Sequence, residues 1–246
     1  MVRFLGSGVK GVELRRIIRA LEGFDGCRAT VRCRSGVEED NIPLQIDTVN
    51  HGLTMMCEAQ LKATLFREYQ VQPGEINIEI NKLREVKYDG RAEYDVIVDD
   101  QGLRVVGEGV ERVFPNADTT QVSTFEYFKR VGYEGELKVD ARYLSHAVKS
   151  LARYFDFCKI SVEGETELCL YGENDNYSDM HKIKAKKYGD KELGEVKIDL
   201  KLLKGCLHGW ANSVKLLLKE DCPLILEYNN TWSWSLKYAI APVVAP

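Results

Sequence analysis

The sequence predicts an α+β protein made of two similar domains, in which a few helices pack on antiparallel sheets. Three observations support this: short strand-like stretches are numerous, amphipathic helical segments are few, and the same order of elements occurs twice along the 246 residues. We therefore expect domains at 1–114 and 133–246. The stretch 115–132 between them has Pro115, Asn116 and little periodicity, and it is interpreted as an interdomain connector.

The first half follows the order β-α-βββ-β-α-βββ. Its strands are predicted where apolar residues alternate or cluster between turn residues. They span Val2–Leu5, Cys27–Arg34, Leu44–Asp47, Leu53–Gln60, Ile76–Ile80, Tyr94–Val98, Leu103–Gly107 and Val110–Phe114. Helices are predicted over Lys10–Glu22 and Asn81–Tyr88.

The second half repeats the order. Its predicted strands span Glu136–Val139, Lys159–Val162, Glu167–Tyr171, Met180–Ala185, Glu195–Ile198, Val214–Lys219, Leu224–Tyr228 and Ser235–Ile240. Its helices are predicted over Asp140–Phe155 and Asp199–Ala211.

Each predicted helix has an apolar stripe and a basic opposite side. In the first, Leu14, Ile17, Ile18 and Leu21 recur at helical spacing, which predicts a buried face. The two predicted helices of the second half also have apolar stripes. Leu144, Leu151 and Phe155 form the stripe of the first of them, and Leu200, Leu203, Leu207 and Trp210 form the stripe of the second. The residues predicted to point away from the stripes are Arg15, Arg16, Arg19, Lys82, Arg84, Lys87, Arg142, His146, Lys149, Arg153, Lys201, Lys204 and His208.

Positive charge is concentrated on these helices. The four segments carry a net charge of +7, so the rest of the chain carries −11 for an overall −4. A solvated basic face is ordinary on one helix, but four of the same sign in an acidic protein indicate a surface for polyanions. Such a surface attracts phosphates without reading bases, so we expect sequence-independent DNA binding.

Motifs of catalysis and metal binding are missing from the sequence. The seven cysteines form no CxxC pair, and we interpret them as free and mostly buried thiols. There is no phosphate-binding loop, no GxGxxG after a strand and no GxSxG. No apolar run approaches the ~20 residues that cross a bilayer, and charge interrupts the N-terminal stretch before a signal peptide could form. We expect an intracellular protein that is not an enzyme and has no cofactor, metal or membrane association.

Three segments carry a resemblance to a known family. CPLILEY at 222–228 and SLKYAIAP at 235–242 resemble the closing strands of the PCNA-type DNA sliding clamps, LQID at 44–47 with His51 is similar to their D-x-S-H-V region, and GVELRRIIRAL at 11–21 is similar to their first helix. The resemblance covers nearly the whole chain and points to an archaeal or viral-like member. It implies a clamp with antiparallel sheets outside, two helices per domain lining a central hole, and the basic residues named above facing duplex DNA.

The resemblance also implies function and partners. A clamp subunit encircles DNA as a trimeric ring and tethers replication and repair enzymes as a processivity factor. The expected partners are double-stranded DNA, a clamp loader, and DNA polymerase, flap endonuclease and ligase, which dock through PIP-box peptides. The protein would be cytoplasmic in an archaeon, and nuclear or at replication sites in a eukaryote or virus.

The resemblance places the peptide pocket at Ile46, His51, Pro223, Ala241 and Pro242. Two departures from the family pattern fall close to it. Gly52 stands where the family often has valine, and Ala239 stands where a larger side chain is common. Both changes predict a wider or shallower pocket with unusual partner preference.

Ring closure in the family pairs one edge strand from each domain, here Val110–Phe114 and Met180–Tyr188. The interface residues implied are Val110, Arg112, Phe114, Lys182, Lys184 and Lys186. The lysines of the second strand either guard an exposed edge against aggregation or pair with an acidic partner strand. The first-domain edge offers only Glu108 and Glu111 against Arg112, so a hetero-oligomeric ring with a paralogue stays open beside a homotrimer. A checkpoint-type clamp subunit or a viral processivity factor of the same fold is the alternative function.

Overall fold

A computed structural model describes residues 2–24, 26–35, 41–81, 88–117, 131–133, 135–164, 166–189, 193–230 and 233–243. The chain forms two compact units. The first consists of Met1–Phe125 with Asn229–Leu236, and the second of Glu126–Tyr228 with Lys237–Pro246. The division falls inside the predicted connector, of which 118–130 lie outside the described residues, so the predicted domain boundaries stay a prediction.

The first unit holds two antiparallel sheets and helix α1, Gly11–Leu21. One sheet has the strand order β5-β1-β7-β8-β9, and the other includes β4-β3-β2-β6. The strands are β1 Phe4–Lys10, β2 Arg28–Cys33, β3 Leu44–Val49, β4 Met55–Leu61, β5 Glu68–Val71, β6 Gly74–Glu79, β7 Glu93–Asp99, β8 Gly102–Gly107 and β9 Val110–Pro115.

Helix α1 buries its apolar stripe in the first unit. Leu14, Ile17, Ile18 and Leu21 are buried and line a small apolar cavity of about 30 Å³ with residues of both sheets. The helix begins at Gly11, where a Cβ would lie 1.9 Å from the carbonyl oxygen of Asp89, so only glycine allows this close approach.

The second unit holds helices α2, Ala141–Leu151, and α3, Leu200–Gly205. Its strands follow the orders β14-β11-β12-β13 and β13-β10-β15-β16-β17. The strands are β10 Glu136–Asp140, β11 Phe157–Glu163, β12 Glu167–Glu173, β13 Ser178–Tyr188, β14 Val196–Asp199, β15 Ser213–Leu217, β16 Leu224–Asn230 and β17 Trp234–Ile240. The adjoining ends of β16 and β17, residues 229–236, belong to the first unit.

The two units repeat the same topology, which confirms the predicted α+β class with two similar domains. In the first unit β4 pairs with β3 and β5 pairs with β1. In the second unit one long strand, β13, occupies the positions that β4 and β5 have in the first unit. Its residues 178–184 pair with β12, and residues 185–188 pair with β10.

Both helices of the second unit start at an aspartate. The carboxylate of Asp140 accepts hydrogen bonds from the backbone N–H of Arg142 at 2.8 Å and of Tyr143 at 3.3 Å. Asp199 accepts from Lys201 at 2.7 Å and Leu202 at 3.1 Å. An N-cap of this kind satisfies amides that have no partner within the helix, so these aspartates define where the helices begin.

Several predicted boundaries were wrong. Helix α2 ends at Leu151 rather than Phe155, and α3 ends at Gly205 rather than Ala211. Glycine weakens a helix end, and residues beyond Gly205 turn into the core instead. The four-residue strand β5 was not predicted because so short a segment has little pattern. The predicted helix over 81–88 lies almost entirely outside the described residues.

Candidate nucleic-acid interface

The basic side of α1 is only partly available to a ligand. Arg19 is exposed, whereas Arg15 and Arg16 are half-buried. A carboxylate oxygen of Glu13 accepts a hydrogen bond from Arg16 Nη1 at 2.9 Å, and the other accepts one from Trp234 Nε1 at 2.7 Å. Glu13 therefore offsets the charge of Arg16 and holds that guanidinium close to the helix.

Helix α2 presents the most open basic side. Leu144, Ala147, Val148 and Leu151 are buried on its apolar stripe, as predicted. Exposed on the opposite side are Arg142, His146 and Lys149, with Arg153 just beyond the helix end. Sequence reasoning missed Tyr143, which is 69% exposed on this side, because an aromatic residue in a helix is normally taken as core.

Helix α3 lies next to α2 and adds two more exposed lysines, Lys201 and Lys204. Among the described residues, no ion pair involves Lys149, Arg153, Lys201 or Lys204. Cations without a carboxylate partner keep their full attraction for phosphate. We refer to these four residues as the basic helical face.

Lysines on the strands of the same unit are arranged differently. Lys159 lies 2.7 Å from Glu195, Lys182 forms an ion pair with Glu163, and Lys215 is held between Glu136 at 2.8 Å and Glu227 at 3.1 Å. These three ion pairs neutralise part of the strand charge locally. The four cations of the basic helical face have no such carboxylate partner among the described residues.

The prediction that His208 faces outward was wrong. Helix α3 ends before it, and the imidazole is buried, with Nε2 2.6 Å from the hydroxyl oxygen of Tyr238 and the ring stacked on Trp210 at 5.0 Å. Burial lowers the pKa of His208 to about 4, so the ring is neutral at physiological pH. It cannot contribute charge to DNA binding.

Three other predicted DNA-facing residues, Lys82, Arg84 and Lys87, lie outside the described residues. The remaining members of the predicted set stand away from the apolar stripes, as the periodicity indicates. Their contact with DNA stays a prediction.

The residues of the predicted peptide pocket have different environments. Ile46 is only 4% exposed and lines the apolar cavity of the first unit with Leu44 and Leu61, so its predicted role at a surface pocket was wrong. The alternation of β3 turns its side chain inward. In the first unit His51 is exposed, and in the second Pro223, Ala241 and Pro242 are half-buried; their role stays a prediction.

Strand β9 ends its sheet, so its backbone forms an edge of the described first unit. The side chains predicted at the interface, Val110, Arg112 and Phe114, lie on the inward face of this strand, and their role at a subunit interface stays a prediction. Phe114 is buried in the core, and Arg112 donates a 3.0 Å hydrogen bond to the side-chain oxygen of Asn81. Val110 lies on the same face of the strand as these two residues. The outward side chains of β9 are Glu111 and Val113, as the alternation set by the buried Phe114 requires.

On β13 the predicted interface lysines are all exposed. Lys182 and Lys184 lie in the part of the strand that pairs only with β12, whereas Lys186 lies in the part that pairs with β10. Lys186 also lies over the ring of Tyr188, 4.9 Å from its centroid.

The cysteine thiols have the environment that the sequence predicts. All seven are free, and six of them are buried. Within the part of the chain that is described, no group of histidine, cysteine and acidic residues could hold a metal ion. In those same residues no helix is long and apolar enough to span a bilayer.

The fold is that of a solved clamp. The crystal structure of Proliferating Cellular Nuclear Antigen from Entamoeba histolytica matches 99% of this chain and 100% of its own with a TM-score of 0.76, at 15% sequence identity. No protein-family model matches the sequence, and no curated protein matches it. The chain therefore has the PCNA-type fold, which confirms the resemblance at the level of architecture.

Proposed function

We propose that this protein is a DNA sliding clamp subunit, which encircles duplex DNA in a three-subunit ring and tethers a DNA polymerase and other replication and repair enzymes. It acts as a scaffold and carries out no chemistry. The observation that carries the proposal is the basic helical face, with four exposed cations free of ion pairs among the described residues of an acidic protein with the PCNA-type fold.

The charge arrangement suits a ring that slides. Phosphate contacts from lysine and arginine are independent of base sequence, and cations on short exposed helices can exchange one phosphate for the next at little cost. An acidic remainder of the chain repels DNA and so disfavours side-on adhesion. DNA would then be held mainly by being threaded.

Threading can be tested without a clamp loader. The protein is incubated with linear duplex DNA biotinylated at both ends, streptavidin is then added to block the ends, and the salt concentration is raised. We expect the blocked DNA to retain protein at a salt concentration that releases it from DNA with open ends, because a threaded ring can leave only over an end.

The control adds streptavidin before the protein, which prevents threading. Equal retention on DNA blocked before and after the incubation would show that the protein binds from the side, and the proposed function would then be wrong.

Partner enzymes are proposed to dock through PIP-box peptides, for which Pro223, Ala241 and Pro242 of the second unit are the proposed contacts. Ile46 is excluded from this set by its burial. Pro223 is the better position at which to disturb docking, because a charged residue at Ile46 would damage the core of the first unit.

A further inference from the structure

Tyr143 is an exposed aromatic residue with no hydrogen-bond or ring partner for its side chain among the described residues. It lies in the first turn of α2, and its side chain is 69% exposed. Other exposed tyrosines of the same unit differ. The rings of Tyr154 and Tyr177 have centroids 5.9 Å apart, and Lys186 lies over the ring of Tyr188. Single exposed apolar residues are common on protein surfaces, so the surroundings of Tyr143 decide what its ring could bind.

The surroundings of Tyr143 are basic. Arg142 and His146 are exposed next to it, and Lys149 follows on the open side of the helix. Residues three apart are neighbours on a helix surface, so His146 lies beside Tyr143, and Lys149 is about 9 Å further along the axis. The carboxylate of Asp140 caps the helix and lies 3.6 Å from the guanidinium of Arg142, which offsets its negative charge. An anionic ligand with a flat apolar part fits these surroundings.

The helix fixes the backbone that carries this ring. The N–H of Tyr143 donates to the carboxylate of Asp140 at 3.3 Å, and Ala141 and Leu144 on either side of Tyr143 are buried in the core. A tyrosine side chain has only two rotatable bonds, so little conformational entropy is lost when its ring is held against a flat partner. The ring is therefore presented to a ligand from a rigid element.

Unpaired nucleic-acid bases have the chemistry that this site would recognise, because they are flat and are joined to phosphates. In duplex DNA the faces of the bases are covered by their stacked neighbours, whereas in a single strand they are open to an aromatic side chain. Cations alone favour the duplex, since each phosphate contact releases ~0.9 counterion from a duplex and ~0.7 from a single strand. Tyr143 therefore supplies an attraction for single strands that the basic helical face lacks.

We propose that Tyr143 stacks on an unpaired base of single-stranded DNA while cations of the basic helical face bind the phosphates beside that base. This inference rests on the DNA binding in the proposed function, and it does not depend on ring closure. The distance of about 9 Å along α2 from Tyr143 to Lys149 equals about three stacked nucleotides at ~3.4 Å each, so one short strand reaches both residues. The protein would then be retained where a duplex gives way to a single strand.

The test compares a short homothymidine strand with a duplex of the same length, each labelled and titrated with protein at several salt concentrations. In the Tyr143→Ala variant we expect the affinity for the strand to fall by about fivefold to a hundredfold, which is the loss for one stacked base. The affinity for the duplex should not change. The salt dependence should stay the same for both ligands, because no phosphate contact is removed.

Two further variants separate the ring from other effects. Tyr143→Phe retains the ring and removes only the hydroxyl, so it should bind both ligands as the parent does. The matched control is Tyr188→Ala, which removes an exposed tyrosine of the same unit from strand β13, and it should also bind the strand like the parent. Because the side chain of Tyr143 is largely exposed, its truncation should leave the core intact, and unchanged duplex binding shows that the variant is folded.

Unchanged binding of the strand by Tyr143→Ala would overturn the proposal and leave the ring for a protein partner. Equal losses on the strand and the duplex would also overturn it, since the contact would then be with the sugar-phosphate backbone. A loss in Tyr143→Phe as large as in Tyr143→Ala would assign the contact to the hydroxyl instead of the stacked ring. A lower solution mass of Tyr143→Ala than of the parent would place the ring against another subunit and overturn the proposal as well. These results are independent of threading, because the titrated strands and duplexes have open ends and the blocked-end experiment uses duplex alone.

Discussion

His208 lies in an aromatic cluster of the second unit, where its ring contacts Trp210, Tyr228 and Tyr238. Tyr228 is tied to the same region by a 2.9 Å hydrogen bond from its hydroxyl to the carbonyl of Cys206. A neutral imidazole completes this cluster, whereas an imidazolium would place a charge in an apolar site. The stability of the second unit should therefore depend on the protonation of one buried residue.

Because the pKa of His208 is lowered from 6.5 to about 4, the unfolded chain binds a proton at a higher pH than the folded chain does. The stabilisation by neutral His208 is complete above pH 6.5 and is lost as the pH falls toward 4, at up to ~1.4 kcal/mol per pH unit. In the His208→Gln variant, which retains hydrogen bonding but does not titrate, the loss of stability between about pH 7 and pH 5 should be smaller. Urea unfolding at both pH values measures it.

The control for this experiment is His146→Gln, which changes an exposed histidine of the same unit. It should leave the pH dependence of unfolding close to that of the parent. The same pH dependence in the His208→Gln variant and the parent would show that another group is responsible.

The burial of individual side chains could be predicted from the sequence in some cases and not in others. The apolar stripe of α2 was predictable because its apolar residues recur every three or four positions along the sequence. Burial of His208 was not, since it depends on where α3 ends and on Tyr238, which is distant along the chain. Ile46 was misplaced for a related reason: its motif indicates a family position, whereas its side-chain direction depends on the register of β3 between β2 and β4.

At the scale of elements, α2 and α3 are built alike: an aspartate N-cap, a buried stripe and exposed cations. Backbone hydrogen bonding, led by the N–H of Arg142, holds the pKa of Asp140 below its ordinary value, so this cap stays ionised well below neutral pH. Negative charge at a helix start is favourable, and it leaves the positive groups further along as the ones available to an anion. The neighbouring helices thus act as one basic element.

The basic helical face predicts how DNA binding should respond to salt. Replacing Lys149 and Lys201 with alanine should lower the slope of log affinity against log salt by up to about two units, roughly 0.9 for each lysine that neutralises a phosphate. Sequence preference should not change. Titration of a labelled duplex at several salt concentrations measures the slope.

Lys138→Ala with Lys197→Ala is the matched control, because both are exposed strand lysines of the same unit and the change in net charge is identical. This pair should have little effect on the slope. An equal reduction by both double variants would mean that net charge, rather than the helical face, governs binding.

At the scale of the whole molecule, the repeat was the most predictable feature, because each half encodes the same order of elements independently. The difference between the two units in how this edge is built was not predictable. The first unit divides one edge between β4 and β5, with a short 3₁₀ turn at Ala63–Leu65, whereas the second uses the unbroken β13. Whether a strand continues or breaks depends on pairing with β1 or β10, and such distant contacts have no local pattern in the sequence.

The double role of β13 has a consequence for hydrogen exchange. Residues 185–188 pair with β10, whereas along 178–184 alternate backbone amides point away from β12, on a side where no described strand pairs with them. Those amides should exchange with deuterium rapidly in dilute protein and become slow at concentrations where subunits associate. Exchange at the amides of 185–188 that bond to β10 should stay slow throughout. One strand would then report, amide by amide, both the folding of its own subunit and the arrival of a neighbour.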